Sequence, residues 1–162
     1  MMARTDLTLV LGLGESGLAM ARWLARQGVA LRVADSRDVP PGVDRLRAEV
    51  PDVEIVTGPF TDSLLDGVGR IAISPGIDPR QPLVQAAKAR SVPVVGEMDL
   101  LADVLREQGA GERSRIIAIT GTNGKTTTTT LVGEMVRATG LDGVVAGNIS
   151  PAALDVLMAR LD

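Results

Sequence analysis

A doubly wound α/β fold on a parallel sheet is predicted for this chain, and three observations carry the prediction. Apolar runs of strand length alternate with stretches of helical periodicity through residues 1–96. Most of those runs are continuously apolar, the pattern of strands covered by helices on both faces. Two of the chain's apolar runs open into Gly-rich loops that lead into helices, an arrangement that aims backbone N–H groups at an anion. With 162 residues and 45% hydrophobic content, the chain has room for one or two domains with cores.

The elements follow in order. Leu7–Leu11 is the first predicted strand. Ser16–Gln27 is the first helix, with Leu18, Ala21, Trp23, Leu24 and Ala25 able to line its buried side and Gly28 placed as its C-terminal cap. Strands are predicted at Val29–Ala34, Val53–Val56, Arg70–Ser74 and Val92–Val95. The helices between them are Val43–Val50, Thr61–Leu65 and Pro82–Arg90. This first domain, residues 1–96, ends near Gly96. Glu97–Gln108 reads as a helix with Met98, Leu101, Val104 and Leu105 on one side, and the polar stretch Gln108–Ser114 as a linker. The pattern then restarts: strand Arg115–Thr120, a Gly-rich loop, helix Lys125–Thr139, strand Gly143–Ala146 and helix Ala152–Leu161. Two strands cannot make a covered α/β sheet, so residues 97–162 are expected to be the beginning of a larger second domain.

Composition removes several classes of function. Trp23 and Phe60 are the only aromatic residues and the net charge is −3, which argues against nucleic-acid binding. There is no Cys and no His, so thiolate chemistry, His general bases and the usual zinc ligands are absent from this sequence. No apolar run reaches the ~18 residues of a membrane helix. Leu7–Gly14 lacks the charged lead-in of a secretory signal, so a cytoplasmic protein with no membrane partner is expected.

Two loops carry the chemistry. Gly12-Leu13-Gly14-Glu15-Ser16-Gly17 fits GxGxxG between strand and helix, and Asp35 ends the next strand. This is a dinucleotide-type fingerprint, but a helix N-terminus accepts the pyrophosphate of NAD or of a UDP-sugar equally. Glu15 puts a negative charge in the loop and must be solvated. The second loop, Gly121-Thr122-Asn123-Gly124-Lys125-Thr126-Thr127, follows the apolar run 116–119. Its N–H groups can cradle phosphates, Lys125 can add a point charge, and the Thr126 hydroxyl can ligate Mg²⁺, which makes ATP the first ligand to consider. Lys125 is one of two lysines, with Lys88. Ile119 stands where the general P-loop pattern has Gly. A dehydrogenase has no use for the second loop, whereas a ligase acting on a UDP-linked substrate needs both.

TGTNGKTT at 120–127 resembles the run found in Mur ligases and folylpolyglutamate synthases, enzymes that use ATP to join an amino acid to a carboxylate. Five further pieces, LGLGESGLA at 11–19, ADSRDVPPG at 34–42, ISPGI at 73–77, VVGEMDL at 94–100 and GNISPA at 147–152, extend the resemblance to the Mur ligase family over essentially the whole chain. GESGLA and SPGI are similar to the family member that adds D-glutamate to UDP-N-acetylmuramoyl-L-alanine through an acyl phosphate.

The resemblance implies a Rossmann-like first domain that binds the UDP moiety, followed by the start of a P-loop ATPase domain. Gly14, Glu15, Ser16 and Gly17 would hold the diphosphate. Asp35, Ser36 and Arg37 would address the uracil end, and Ser74, Pro75 and Gly76 would border the pocket. Asn148 would touch substrate between the domains, with Ser150 departing from the usual Gly. Lys125 and Thr126 would serve catalysis, the latter as the Mg²⁺ ligand.

The family's remaining machinery has no counterpart in this sequence. The chain is therefore expected to bind UDP-linked substrate weakly, to bind ATP poorly and not to turn over, the full-length form being a monomer. The alternatives are a sibling Mur ligase, an NAD-dependent oxidoreductase, or a non-catalytic module that binds UDP-precursor.

Overall fold

The computed structural model describes residues 7–107, 115–148 and 150–161. Strands β1 (Leu7–Leu11), β2 (Leu31–Asp35), β3 (Glu54–Thr57), β4 (Val68–Ile73) and β5 (Val94–Val95) form one sheet in the order β3-β2-β1-β4-β5. Every neighbouring pair is parallel. Helices α1 (Glu15–Arg26) and α2 (Val43–Glu49) return the chain over one face, α3 (Pro82–Ala89) over the other. The strand order reverses between β1 and β4, which opens a crevice beyond their carboxyl ends.

The continuous apolar runs read as expected. Leu9, Val10 and Leu11 are all fully buried. Leu9 and Leu11 join Ala34, Ile71, Leu83, Val84 and Ala87 in one core. Val10 points the other way, into a core shared with Val33, Ala72 and helix α1. Expected and observed boundaries differ by a residue or two, as chain ends of elements do. Thr61–Leu65, expected as a helix, is a 3-10 turn over Asp62–Leu65. Gly28, at φ 72°, donates its N–H to the Ala25 carbonyl and closes α1 as expected.

Helices α4 (Glu97–Glu107) and α6 (Ala153–Leu161) extend the first core. Leu100, Val104, Leu154 and Met158 pack with Leu18, Ala21, Trp23 and Leu24 of α1. This layer buries α1 on more sides than its single apolar stripe predicts: Gly17, Ala19 and Met20 are buried too, while Ala25 is partly exposed. On α4 the expected Val104 is buried and Leu101 packs against this core, but Met98 lies outside it. Glu97, Leu100 and Val104 are buried whereas Met98 is 50% exposed. The α4 N-terminus is closed locally, with the Gly96 N–H donating to the Asp99 carboxylate at 2.7 Å. Asp99→Ala is expected to cost about 1 kcal/mol, the usual worth of such a cap, read as a shift in the urea midpoint.

Helix α5 (Lys125–Ala138) forms as predicted. The strands expected at 115–120 and 143–146 do not form. An isolated strand leaves its backbone donors and acceptors unpaired, and among the described residues no other strand lies beside either segment. Of their apolar side chains, Ile116, Ile117 and Val144 are exposed, as are Leu131 and Met135 of α5 and Leu141 after it. The predicted linker 108–114 lies outside the described residues. No helix among the described residues is long and apolar enough to cross a membrane.

Candidate functional site

The crevice at the strand-order switch is a cleft of about 430 Å³. It is lined by Gly12, Gly14, Glu15 and Ser16 after β1, by Asp35, Ser36 and Arg37 after β2, and by Ser74, Pro75, Gly76 and Ile77 after β4. Gly147 and Asn148, from the loop before α6, complete it. Three loops distant in sequence therefore meet because their strands are adjacent and parallel, and a fourth is brought in by α6.

The first loop is built around glycines. Gly12 has φ 86°, a left-handed value that favours Gly, and its carbonyl accepts a 2.8 Å hydrogen bond from the buried Ser74 hydroxyl. Gly17 alone among the residues expected to face the UDP-linked substrate does not line the cleft. A Cβ placed there would sit 1.7 Å from the Gly12 carbonyl oxygen. Its function is the close approach of α1 to β1, which brings the helix's first turn and its unpaired N–H groups to the cleft. Glu15 is exposed, as its charge in this loop requires, and Ser16 is half-buried.

Asp35 is 2% exposed and is held entirely by the protein. Its two oxygens accept from the Leu13 N–H at 2.6 Å, the Arg37 N–H at 2.9 Å, and the Arg37 guanidinium at 2.8 and 2.6 Å. A carboxylate offers roughly four acceptor positions, so all are taken. The Arg37 guanidinium, against the opposing cost of burial, holds the Asp35 carboxyl down to about 2. A ligand donor can reach Asp35 only by displacing Arg37, whose side chain is half exposed.

The second loop stands apart from the cleft. Gly121, Thr122, Asn123, Gly124, Lys125, Thr126 and Thr127 are all exposed, and none lines it. Gly124 takes φ 74° and starts α5, where the Thr128 N–H bonds its carbonyl. The Lys125 ammonium curls back over the loop and donates to the Gly121 and Thr122 carbonyls. Among the described residues no group of three or more Asp or Glu side chains is placed to hold a metal ion.

Residue-by-residue reading missed Ile77, Gly147 and the Leu13 N–H as parts of the site. It also missed Glu97, a buried carboxylate that accepts from the Leu154 N–H at 3.0 Å, 57 residues away. The first two sit beside motif residues already singled out. Glu97 lies within the run VVGEMDL, but nothing there marks it as buried, because a Glu at a helix start is ordinarily solvated.

A family model described as Mur ligase MurD-like, N-terminal domain, matches residues 6–96. The UDP-N-acetylmuramoylalanine–D-glutamate ligase of Aromatoleum aromaticum is 61% identical over 153 residues, covering 94% of this chain and 33% of that protein. The enzyme of the same name from Ralstonia nicotianae is 54% identical, over 95% of this chain and 32% of its own length. This chain thus spans about a third of the curated relatives it matches. Among solved structures, a pseudomurein peptide ligase type C from Methanothermus fervidus superposes with a TM-score of 0.51 at 26% identity, covering 84% of this chain and 27% of that one.

Proposed function

Because this chain belongs to the MurD-like family of Mur ligases, we propose that its cleft binds the UDP end of UDP-N-acetylmuramoyl-L-alanine, and that the activity it serves is ATP-dependent addition of D-glutamate to that substrate in peptidoglycan synthesis. One observation carries the reading: the β1, β2 and β4 loops converge on a single polar cleft at the strand-order switch. The roles follow from chemistry. N–H groups of residues 14–17 and the Ser16 hydroxyl suit a diphosphate at a helix N-terminus. Asp35, once Arg37 has swung off it, offers an acceptor to a ring N–H, and the freed guanidinium can stack on the base. Ser36, Ser74, Pro75 and Gly76 wall the pocket, and Asn148 reaches the substrate beyond the nucleotide. Residues 1–96 would be the UDP-substrate domain and 97–162 the beginning of the ATP-binding one, in a cytoplasmic enzyme that works as a monomer.

The residues at 121–127 fit a nucleotide triphosphate. Gly124 in a left-handed turn leads straight into a helix N-terminus, and an ammonium and hydroxyls flank it. Gly121–Gly124 would donate N–H groups, Lys125 would meet the phosphates, and Thr126 and Thr127 would face them, with Thr126 toward Mg²⁺. ATP supplies the activation of the substrate carboxylate. The chain's own part there is to bind, orient and neutralise charge. By itself the 162-residue chain is expected to bind the UDP compound without forming amide product.

Calorimetric titration tests this, with UDP-N-acetylmuramoyl-L-alanine, UDP, NAD⁺ and Mg·ATP run side by side. Saturable binding of the two UDP compounds, at least tenfold weaker in Asp35→Ala, is the expected result. Binding of NAD⁺ alone would overturn the reading.

A further inference from the structure

Glu97 does something its position in α4 does not require. Helix α6 begins after Ala152, which is buried and has no side-chain oxygen to cap the helix's first N–H groups. Glu97 supplies that oxygen from another helix. Its carboxylate, 4% exposed, accepts from the Leu154 N–H in the first turn of α6. A charged acceptor at a helix N-terminus is stabilised both by the hydrogen bond and by the helix dipole. The loop that α6 carries at this end is closed on itself by the Gly147 N–H bonded to the Pro151 carbonyl, and it places Gly147 and Asn148 in the cleft. The body of α6 has separate anchors. Leu154 and Met158 are in the core with α1, and Asp155 pairs with Arg22 at 2.6 Å. Those contacts hold α6 against α1, while Glu97 fixes where its N-terminal end stands.

We infer that Glu97 is a positioning residue for substrate: its bond to the Leu154 N–H sets the start of α6 so that Gly147 and Asn148 stand in the cleft and Asn148 meets the part of the substrate beyond the nucleotide. This rests on the UDP-substrate reading of the cleft. It predicts a selective effect, because UDP alone occupies the β1, β2 and β4 loops and does not need Asn148. In Glu97→Ala the affinity for UDP-N-acetylmuramoyl-L-alanine should fall about tenfold or more, with UDP affinity changed less than about twofold. Glu97→Gln keeps the acceptor oxygen and should restore most of the loss.

The experiment is calorimetric titration of the wild-type chain and both variants with the two ligands, alongside urea unfolding. Glu97→Asp, one methylene too short to reach, replaces Glu97→Ala should the latter fail to fold. An equal loss for both ligands, or no loss for the larger one, would overturn the inference while leaving the cleft's assignment intact. Failure of the wild type to bind UDP would instead remove the assignment itself, and the inference with it.

Discussion

Gly17→Ala is expected to destabilise the chain by about 3 kcal/mol or more, the upper range for forced overpacking and a large share of a small domain's stability. The new Cβ would stand 1.7 Å from the Gly12 carbonyl oxygen and 2.6 Å from the Ser74 hydroxyl. Neither neighbour can give way easily. The Gly12 oxygen is backbone, Gly12 itself is held in a left-handed turn, and its N–H is bonded to the Ala34 carbonyl at 2.8 Å in the sheet. Relief would require α1 to move off β1, which unpacks Leu18, Ala21 and Leu24 from the core. Gly14→Ala is the informative comparison, since a Cβ there meets nothing within 4 Å. It should cost less than about 1 kcal/mol. Urea unfolding of both variants measures the difference, and a Gly17→Ala midpoint matching wild type would mean that the turn relaxes without penalty.

Asp35→Ala should lower stability at pH 7 by about 3 kcal/mol, and it should flatten the acid limb of the stability curve. The folded carboxyl titrates near 2, below its usual 3.8, because Arg37 and the Leu13 N–H favour the ionised form. A depressed folded value means the contribution is fully present above pH 4 and disappears as pH falls from about 4 to about 2. The shift corresponds to about 2 kcal/mol, and the orphaned, buried Leu13 N–H adds to the cost of removing the side chain. Chemical unfolding at intervals from pH 6 to pH 2 gives the comparison. Wild type should lose more stability than Asp35→Ala across the lower half of that range, and parallel curves would show that Asp35 is not ionised by these partners. Arg37→Ala should lie between them, since it removes the guanidinium but leaves Leu13 with its acceptor.

Much of this molecule was legible before any fold was known, and the reason is local. A strand buried on both faces is mostly apolar along its length, and β1, β2 and β4 show this in Leu9–Leu11, Val33–Ala34 and Ile71–Ile73. A turn that brings a helix against its strand has to place glycines where a side chain would collide, as at Gly12 and Gly17. Both requirements act within a few residues, so they leave a readable pattern. The expectations at 115–120 and 143–146 went wrong for the opposite reason. Apolar, β-branched residues make a strand possible, but only a neighbouring strand makes it form.

The sequence by itself determined the parallel α/β class, the two Gly-rich loops and the helix that follows each. Those features depend on periodicity and on turn geometry, which are properties of short segments. Tertiary structure alone decided which acceptors are free and which are already taken. It closed Asp35 behind Arg37, set Gly17 against the Gly12 carbonyl where no side chain fits, and laid α4 and α6 on α1 so that a buried Glu97 caps a helix 57 residues away. Such pairings are set by which surfaces meet after the chain has folded, and the residues involved carry no mark of their partners along the chain.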